Sequence, residues 1–454
     1  MTGRLIVLSD LHLSPPGPLA SFHAGPALAS FLREHATTGT TLVLAGDVFD
    51  FLKVERPAAL DMPGAPRLFE KLIAGVAAAP WGNDVLAGLA GLLLAGGRCV
   101  LVPGSHDAEL HHRGCRDVLL AALGLPGHPG LVQHLGDEPY RTEIGGLPVA
   151  VGHGHRYDPW NDVDPEAVQR AARTGAREVA LPAGSRLVTE VLHAFQLAVD
   201  PHTGRPRFPF VDLLKPEVPA VPLLLWYLDP KLADARFSKA FGLGVAKLLR
   251  PLSRAMARSA ALASGDEQLQ TTPHLPIGDA AAMAEAFAEA LEDELSDEQR
   301  GAPQTMIQRA RQWLEGQEAP AGPIDHGVAR GGIRRLAARA FLRRVSKAGS
   351  LFDPGALSRE DMTLIEPHLP EGSGPCVAIF GHTHAARFHR LSGERTYINT
   401  GTWTDLIDLP ELDDEAAVAA WIDALDRGEV KRARRLTYAE VTTGGARLGT
   451  WPAA

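Results

Sequence analysis

Short apolar runs recur along the chain, and turn-forming residues follow each of them. The five clearest runs cover residues 5–8, 41–45, 99–102, 147–151 and 376–380 and consist mainly of Val, Leu, Ile and Ala. Runs of this length and composition, bounded by turn residues, are typical of buried β-strands. We therefore predict a strand at each of these positions.

Apolar residues at helical spacing separate several of these runs. The spacing predicts helices over residues 25–36, 83–96 and 116–124. Hairpins are predicted within residues 142–151 and 436–451, where two arms flank a Gly-Gly pair. Strands and helices in this alternation indicate an α/β protein.

The turn after each of the five strands carries polar side chains suited to a cation. They are Asp10 and His12, Asp47 and Asp50, Ser105, His106 and Asp107, His153 and His155, and His382 and His384. Ligands of open α/β sheets are held at the carboxyl ends of the strands. Turn or helix capping would explain any one of these turns equally well. The five together favour a shared site, and carboxylates and imidazoles without thiolates suit Mn²⁺, Fe or Zn²⁺ rather than Ca²⁺.

Two of these turns lead to more specific expectations. Residues i and i+2 of an extended segment face the same side, so Asp10 and His12 are expected to share one ion. Asp107 has an alternative role as the cap of the helix that follows it.

Composition restricts the class and location of the protein. A chain of 454 residues predicts two domains, or one domain with a large insertion. Its formal net charge of −9 argues against general coating of nucleic acid. Three cysteines without a CxxC pair indicate a reducing compartment. Because neither a signal peptide nor an apolar run of roughly 20 residues is visible, we predict a cytoplasmic location.

Motifs at the five strand ends also occur in a recognisable order. They are DLH at 10–12, GD at 46–47 with Asp50, GSHD at 104–107, GH at 152–153 and GHTH at 381–384. This set resembles the motifs of the calcineurin-like metallophosphoesterases. Residues 9–14, 153–155 and 399–403 are most similar to the branch that includes the UDP-2,3-diacylglucosamine pyrophosphatases.

The resemblance implies a four-layer α/β/β/α sandwich and two divalent metal ions, Mn²⁺ first and Fe or Zn²⁺ as alternatives. The implied ligands are Asp10, His12 and His384 for one ion, His153, His382 and Ser105 for the other, and Asp47 as the bridge. His106 would protonate the leaving group, and Asp50 would orient His106. The implied reaction is hydrolysis of a phosphate ester or pyrophosphate by metal-bound hydroxide.

Two residues depart from the family pattern. The family usually has Asn where this chain has Ser105, and a Ser hydroxyl is a shorter neutral ligand. The second ion is therefore expected to bind Ser105 weakly, through a water, or not at all. The UDP-diacylglucosamine enzymes usually carry Arg where this chain has His106. A histidine at this position is instead typical of phosphoesterases of the family in general.

The chain between His153 and His382 is much longer than a phosphoesterase core needs, and a structureless loop of that length is implausible. We therefore predict a mainly helical cap over residues 161–374, inserted into a core of residues 1–160 and 375–454.

Two stretches of the predicted cap, residues 236–263 and 327–348, are basic and amphipathic. They either form solvated faces of the cap or rest on an anionic membrane surface or lipid head groups. Contact with nucleic-acid phosphates is a third, less favoured alternative.

The expected substrate is a phosphorylated small molecule or lipid precursor that the cap selects. Arg156, Tyr157 and Asn161 are candidate substrate contacts, with anchoring of the insertion as the alternative. A nuclease or cyclic-nucleotide phosphodiesterase is the second hydrolase hypothesis. A weakly catalytic adaptor that binds a membrane or a partner is the third, and such an adaptor would hold one ion or none.

Overall fold

The structure of the chain is a computed structural model. It describes the following parts of the chain: residues 3–55, 59–158, 161–175, 179–214, 342 and 355–452. The predicted basic helices over residues 236–263 and 327–348 lie outside the described residues, apart from Leu342.

The chain divides into two compact units. One unit combines Met1–Leu214, Val345–Leu409 and Gly428–Ala454, and the other combines Lys215–Arg344 and Pro410–Arg427. All strand and loop residues discussed below belong to the first unit. The predicted boundaries of core and cap stay a prediction.

A six-stranded sheet contains the first three predicted strands. Its members are β1 (Arg4–Leu8), β2 (Thr40–Ala45), β4 (Arg98–Val102), β5 (Leu131–Gln133), β14 (Leu436–Thr442) and β15 (Gly445–Trp451), in the order β15-β14-β1-β2-β4-β5. Strands β1, β2, β4 and β5 run parallel to one another. The register pairs Leu8 with Leu44 and Ala45 with Val102. The loops after β1, β2 and β4 therefore leave the same edge of the sheet.

A five-stranded sheet contains the other two predicted strands. Its members are β6 (Tyr140–Ile144), β7 (Leu147–Val151), β9 (Cys376–Phe380), β10 (Arg387–Arg390) and β11 (Arg395–Asn399), in the order β10-β11-β9-β7-β6. Strands β7, β9 and β11 are parallel, and Val151 pairs with Ile379. The loops after β7 and β9 consequently emerge side by side.

Two short ribbons complete the described strands. They pair β3 (Ala59–Leu60) with β8 (Val179–Ala180), and β12 (Asp405–Ile407) with β13 (Arg432–Arg434).

Helices connect many of these strands. Their bounds are α1 (Gly25–His35), α2 (Ala65–Ala77), α3 (Gly82–Leu94), α4 (Arg113–Ala122), α5 (Pro165–Thr174), α6 (Ala183–Leu187), α7 (His193–Gln196), α8 (Arg359–His368) and α9 (Glu415–Arg427). Helices α1 and α3 confirm the prediction within two residues at each end. Helix α4 begins three residues earlier than predicted, because the His112 side chain accepts a hydrogen bond from the N–H of Gly114 and caps the helix.

In the described part of the chain, buried side chains form apolar clusters on both faces of the two sheets. One contains Val7 and Val43 of the first sheet together with Val151, Ile379 and Ile398 of the second. Another contains alternate residues of the first sheet with side chains of helices α1 to α4, and a third contains strands β9 and β11 with α8. The predicted α/β class is confirmed.

Within the described part of the chain, no single helix has both the length and the apolar character to cross a membrane. Helices α2 and α3 meet that criterion only as a pair, and a bend of 112° separates them.

Candidate metal centre

The loops after β1, β2 and β9 have an uncommon backbone conformation. Among the described residues, the non-glycine residues with positive φ are Asp10, His12, Asp47, His382, His384 and Glu394. Five of these six are predicted metal ligands, with φ between 51° and 68°. The left-handed region costs a non-glycine residue about 1–3 kcal/mol, and such residues concentrate at functional sites. The fold therefore maintains an unfavourable backbone at the residues proposed to bind metal.

Asp10 and His12 come together for a different reason from the predicted one. Strand β1 ends at Leu8, and both residues adopt left-handed φ values of 52° and 51°. The expectation of an extended segment is therefore wrong. Instead, the N–H of Asp10 donates to the carbonyl of Gly46 at 3.0 Å, and that of His12 to Asp47 at 2.9 Å. These bonds hold the loop after β1 along the loop after β2.

Asp and His side chains from these loops approach one another closely enough to hold cations. Within each of three groups, one ligand atom per residue lies within 4.8 Å of the others. The groups are Asp10, His12 and His384; Asp47, His153 and His382; and His12, Asp47 and His106. The first two groups correspond to the two predicted ligand sets, and the third overlaps both.

In the first group, the two carboxylate oxygens of Asp10 have different surroundings. Oδ2 accepts hydrogen bonds from the Ser9 hydroxyl and from the N–H of His382, the latter at 3.0 Å. Oδ1 accepts none and lies 3.2 Å from Nε2 of His384. That nitrogen is in turn 3.3 Å from Nε2 of His12. The protein thus fixes one oxygen and directs the other toward two imidazoles.

In the second group, the orientation of His153 is set by the main chain. Its Nδ1 lies 2.9 Å from the carbonyl oxygen of Ala45, which can only accept, so Nδ1 carries the proton. Its Nε2 lies 3.3 Å from Oδ2 of Asp47. Burial by itself would lower the pKa of His153, but the carboxylates of Asp47 and Asp10 outweigh burial and raise it to about 9. This position therefore attracts positive charge.

The two carboxylates themselves remain ionised although they are buried. Burial by itself would raise the pKa of the Asp10 carboxyl. The imidazoles of His384 and His153 lower this pKa by more than burial raises it, so the net value lies below the usual 3.8. The pKa of Asp47 is likewise lowered, because His153 and His106 outweigh burial. Two buried negative charges surrounded by imidazoles favour occupation by a cation.

The donor atoms of this centre fit a divalent cation. Oδ1 of Asp10 and Nε2 of His153 are buried, and each faces an oppositely charged candidate ligand, His384 at 3.2 Å and Asp47 at 3.3 Å. A cation between such atoms would take a lone pair from each of them. Carboxylate oxygen and imidazole nitrogen are also the ligands that Mn²⁺, Fe and Zn²⁺ accept. The structure thus supports metal binding at this centre.

Ser105 and Asp107 attach the loop after β4 to the loop after β2. The Ser105 hydroxyl lies 3.3 Å from Oδ2 of Asp47, which is a member of the second group. The Asp107 carboxylate accepts hydrogen bonds from the N–H groups of Asp47, Val48 and Phe49 at 3.2, 2.8 and 3.3 Å. Asp107 makes no side-chain bond to the helical turn that follows it, so the alternative role as a helix cap is wrong. Asp107 instead clamps the loop that bears Asp47.

Asp50 orients two histidines at once. Its Oδ1 lies 3.3 Å from Nδ1 of His106, which agrees with the predicted pairing. Its Oδ2 lies 3.1 Å from Nδ1 of His12 and 3.0 Å from Nζ of Lys53. Burial raises the pKa of Asp50, but Lys53 and His106 outweigh burial and hold the pKa well below 3.8. The sequence did not predict Lys53, although its spacing of three residues from Asp50 was a usable signal.

The three candidate substrate contacts have different surroundings. Arg156 and Tyr157 line a cavity that also includes His153. The Tyr157 hydroxyl forms a hydrogen bond of 2.5 Å with Nε2 of His368, and Tyr157 is 37% exposed. Asn161 has no exposed surface, which favours its alternative role as an anchor of the segment that follows. The substrate contacts of Arg156 and Tyr157 stay a prediction.

Residues of the motif at 399–403 form hydrogen bonds with the loops that carry the candidate ligands. The Thr402 hydroxyl donates to the carbonyl of Asp10 at 2.8 Å, and the Asn399 amide donates to the main chain of the loop after β9 at 2.9 Å. The hydroxyls of Ser9 and Thr400 are 2.6 Å apart. Sequence reasoning noted this motif in the resemblance but predicted no role for these side chains.

A buried acid near the centre leads to a prediction about stability. Glu109 is 2% exposed, and burial, reinforced by Asp107 and Asp50, raises its pKa from 4.5 to about 8. Because the pKa is higher in the folded state, the associated stability is complete below pH 4.5 and is lost as the pH rises through 8. Glu109→Gln is therefore expected to raise the free energy of unfolding at pH 9 by roughly 2–4 kcal/mol relative to the natural chain. Urea unfolding in EDTA at pH 5 and 9 measures this, and equal pH dependence in both proteins would contradict it.

Comparison with known proteins adds no family assignment. The chain matches no protein-family model, and a search of curated proteins finds no significant match. The resemblance to the calcineurin-like enzymes therefore depends on the sequence motifs alone and stays a prediction.

Proposed function

We propose that this chain is a metal-dependent phosphoesterase of the calcineurin-like type, which hydrolyses a phosphate ester or a pyrophosphate. One observation carries the proposal. Ligand residues separated by up to 374 positions, from Asp10 to His384, converge in groups whose ligand atoms lie within 4.8 Å of one another. The left-handed backbone at five of these residues adds independent support, because such strain persists where function requires it.

The finer fold prediction belongs to the same proposal. The apolar cluster with side chains from both sheets, and the helices against each outer face, agree with a four-layer α/β/β/α sandwich. Catalytic loops then leave the carboxyl ends of strands in both sheets.

In this proposal, the chain contributes charge, orientation and a proton. Two divalent cations, of which Mn²⁺ is the expected kind, would lower the pKa of the attacking water and offset charge on the phosphoryl oxygens. Asp47 forms one group with His153 and His382 and another with His12 and His106, and in this proposal its carboxylate serves both ions. Water attacks phosphorus as the bond to the leaving-group oxygen breaks.

His106 is assigned the proton transfer to the leaving group. Asp50 lies 3.3 Å from Nδ1 of His106 and holds that side of the ring. Nε2–H is then available to donate a proton to the departing oxygen. Lys53, at 3.0 Å from the same carboxylate, keeps Asp50 ionised.

A substrate panel tests the proposal. The purified chain, with Mn²⁺ or with EDTA, is assayed on bis-p-nitrophenyl phosphate, p-nitrophenyl phosphate, a nucleoside diphosphate sugar and a short oligonucleotide. We expect Mn²⁺-dependent hydrolysis of at least one substrate. Preference for the diphosphate sugar supports the UDP-diacylglucosamine branch, and preference for the oligonucleotide supports a nuclease. Absence of hydrolysis together with fewer than two bound ions per chain would favour the adaptor hypothesis instead.

Ser105 provides a second test, because the family usually has Asn at this position. Ser105→Asn is expected to retain or raise hydrolysis and to bind the second ion more tightly. The Ser105 hydroxyl already lies 3.3 Å from Asp47, so a longer amide would bring its carbonyl nearer to the second group. Mn²⁺ titration of both proteins measures the affinity, with Ser105→Ala as the control. A large loss of activity in Ser105→Asn would mean that the hydroxyl has a task of its own.

A further inference from the structure

A carboxylate outside the three ligand groups contacts one of the proposed ligands. Oδ2 of Asp158 lies 3.2 Å from Nε2 of His382. The same oxygen accepts a hydrogen bond from the Asn161 amide at 2.8 Å. Asp158 is a member of none of the three groups found among the described residues. Its carboxylate therefore acts on the ring of His382 and not as a further ligand of the same set.

The main chain of His382 is fixed independently of this contact. Its N–H donates to Oδ2 of Asp10 at 3.0 Å, and its φ is 68°. The ring can still rotate about its two side-chain bonds, which a fixed backbone does not restrain. A hydrogen bond at one ring nitrogen determines the tautomer and the direction of the other nitrogen.

We propose that Asp158 is a positioning residue for His382. Its carboxylate accepts a hydrogen bond from Nε2–H of His382 and leaves Nδ1 to face a cation held with Asp47 and His153. This inference rests on the proposed function, since it requires a cation at the second group.

Asp158 also connects the metal centre to the segment that follows it in the chain. The N–H of Asn161 donates to the carbonyl of Asp158 at 2.9 Å, so main chain and side chain of Asn161 both bind Asp158. Helix α6 packs closely here: a Cβ added to Gly184 would lie 2.0 Å from Oδ1 of Asn161. A displacement of this segment would therefore move the Asp158 carboxylate and, with it, the hydrogen-bond partner of the His382 ring.

Cobalt binding tests the role of Asp158 without reference to turnover. Metal-free full-length protein is titrated with Co²⁺, whose visible absorption reports the number and geometry of bound ions. We compare the natural chain with Asp158→Ala and Asp158→Asn. In Asp158→Ala we expect one ion to bind normally and the other 10- to 100-fold more weakly, the usual effect of losing such a partner. Asp158→Asn keeps an acceptor without the charge and should show a smaller loss.

Asp162 provides a matched control, because it lies four residues away and pairs with Arg156 at 3.4 Å. Asp162→Ala is expected to bind Co²⁺ like the natural chain. Urea unfolding without metal identifies any general loss of stability. Such a loss would weaken the binding of both ions and not of one alone. Normal binding of both ions by Asp158→Ala would overturn the positioning role alone. A natural chain that binds no Co²⁺ would overturn the proposed function as well, whereas Co²⁺ binding without hydrolysis of any substrate would overturn only the function.

Discussion

Asp47→Asn is expected to lower phosphoester hydrolysis by about 10³-fold or more. Oδ1 of Asp47 accepts a hydrogen bond from the N–H of His106 at 2.8 Å, and Oδ2 lies 3.3 Å from Nε2 of His153. An amide keeps the shape of the side chain but removes the negative charge that Asp47 supplies to the group with His153 and His382 and to the group with His12 and His106. The measurement is kcat/KM with Mn²⁺, together with the metal content of the same samples, which we expect to fall below two ions per chain.

Asp84→Asn is the matched control for this prediction. Asp84 is an exposed carboxylate in the first turn of α3, and its replacement removes the same charge. We expect Asp84→Asn to retain normal turnover and metal content. Near-normal turnover by Asp47→Asn would refute its place between two ions.

His106→Asn is expected to show a loss that depends on the leaving group. A general acid contributes about 10²–10⁴-fold when the departing oxygen needs a proton. We therefore expect a loss of that size with an alkyl phosphate ester. A smaller loss is expected with a p-nitrophenyl ester, whose leaving group departs as a stable anion. The comparison of kcat for the two substrates with the same variant separates proton transfer from a general disturbance.

The control for His106 is His23→Asn, since the His23 side chain is 41% exposed. This variant should leave both substrates unaffected. If His106→Asn reduced hydrolysis of both esters equally, His106 would serve binding or structure and not protonation. Asp50→Asn should show the same leaving-group dependence in weaker form, because Asp50 orients His106, together with an equal loss on both esters, because Asp50 also orients the proposed ligand His12.

The strands and the turns that follow them could be predicted because both depend on local sequence. Five apolar runs end in turn residues, and their registers bring the ends of β1, β2 and β4 to one edge. Helix α2 was missed, although Phe69, Leu72, Ile73 and Val76 have helical spacing and are buried.

The contacts that orient the candidate site are less accessible from sequence. Asp158 and His382 are 224 positions apart, and Ser9 and Thr400 are 391 apart, so no spacing connects them. The left-handed backbone of Asp10 and His12 could not be predicted from local propensity either, because Asp and His are enriched in that region among non-glycine residues but adopt it only rarely. Tertiary hydrogen bonds to the neighbouring loop impose it, and a single sequence does not reveal such bonds. Residue types at the site could therefore be predicted, whereas their geometry could not.

The distribution of ligands along the chain has a consequence for synthesis on the ribosome. Two of the three groups need His382 or His384, and the third is complete at His106. A nascent polypeptide that has not reached residue 376 also lacks β9 and β11, so β7 has no parallel neighbour in its sheet. In the proposed metal centre, the first two groups can therefore be completed only after translation of the loop that follows β9, whereas His12, Asp47 and His106 of the third group are all present once residue 106 has been added.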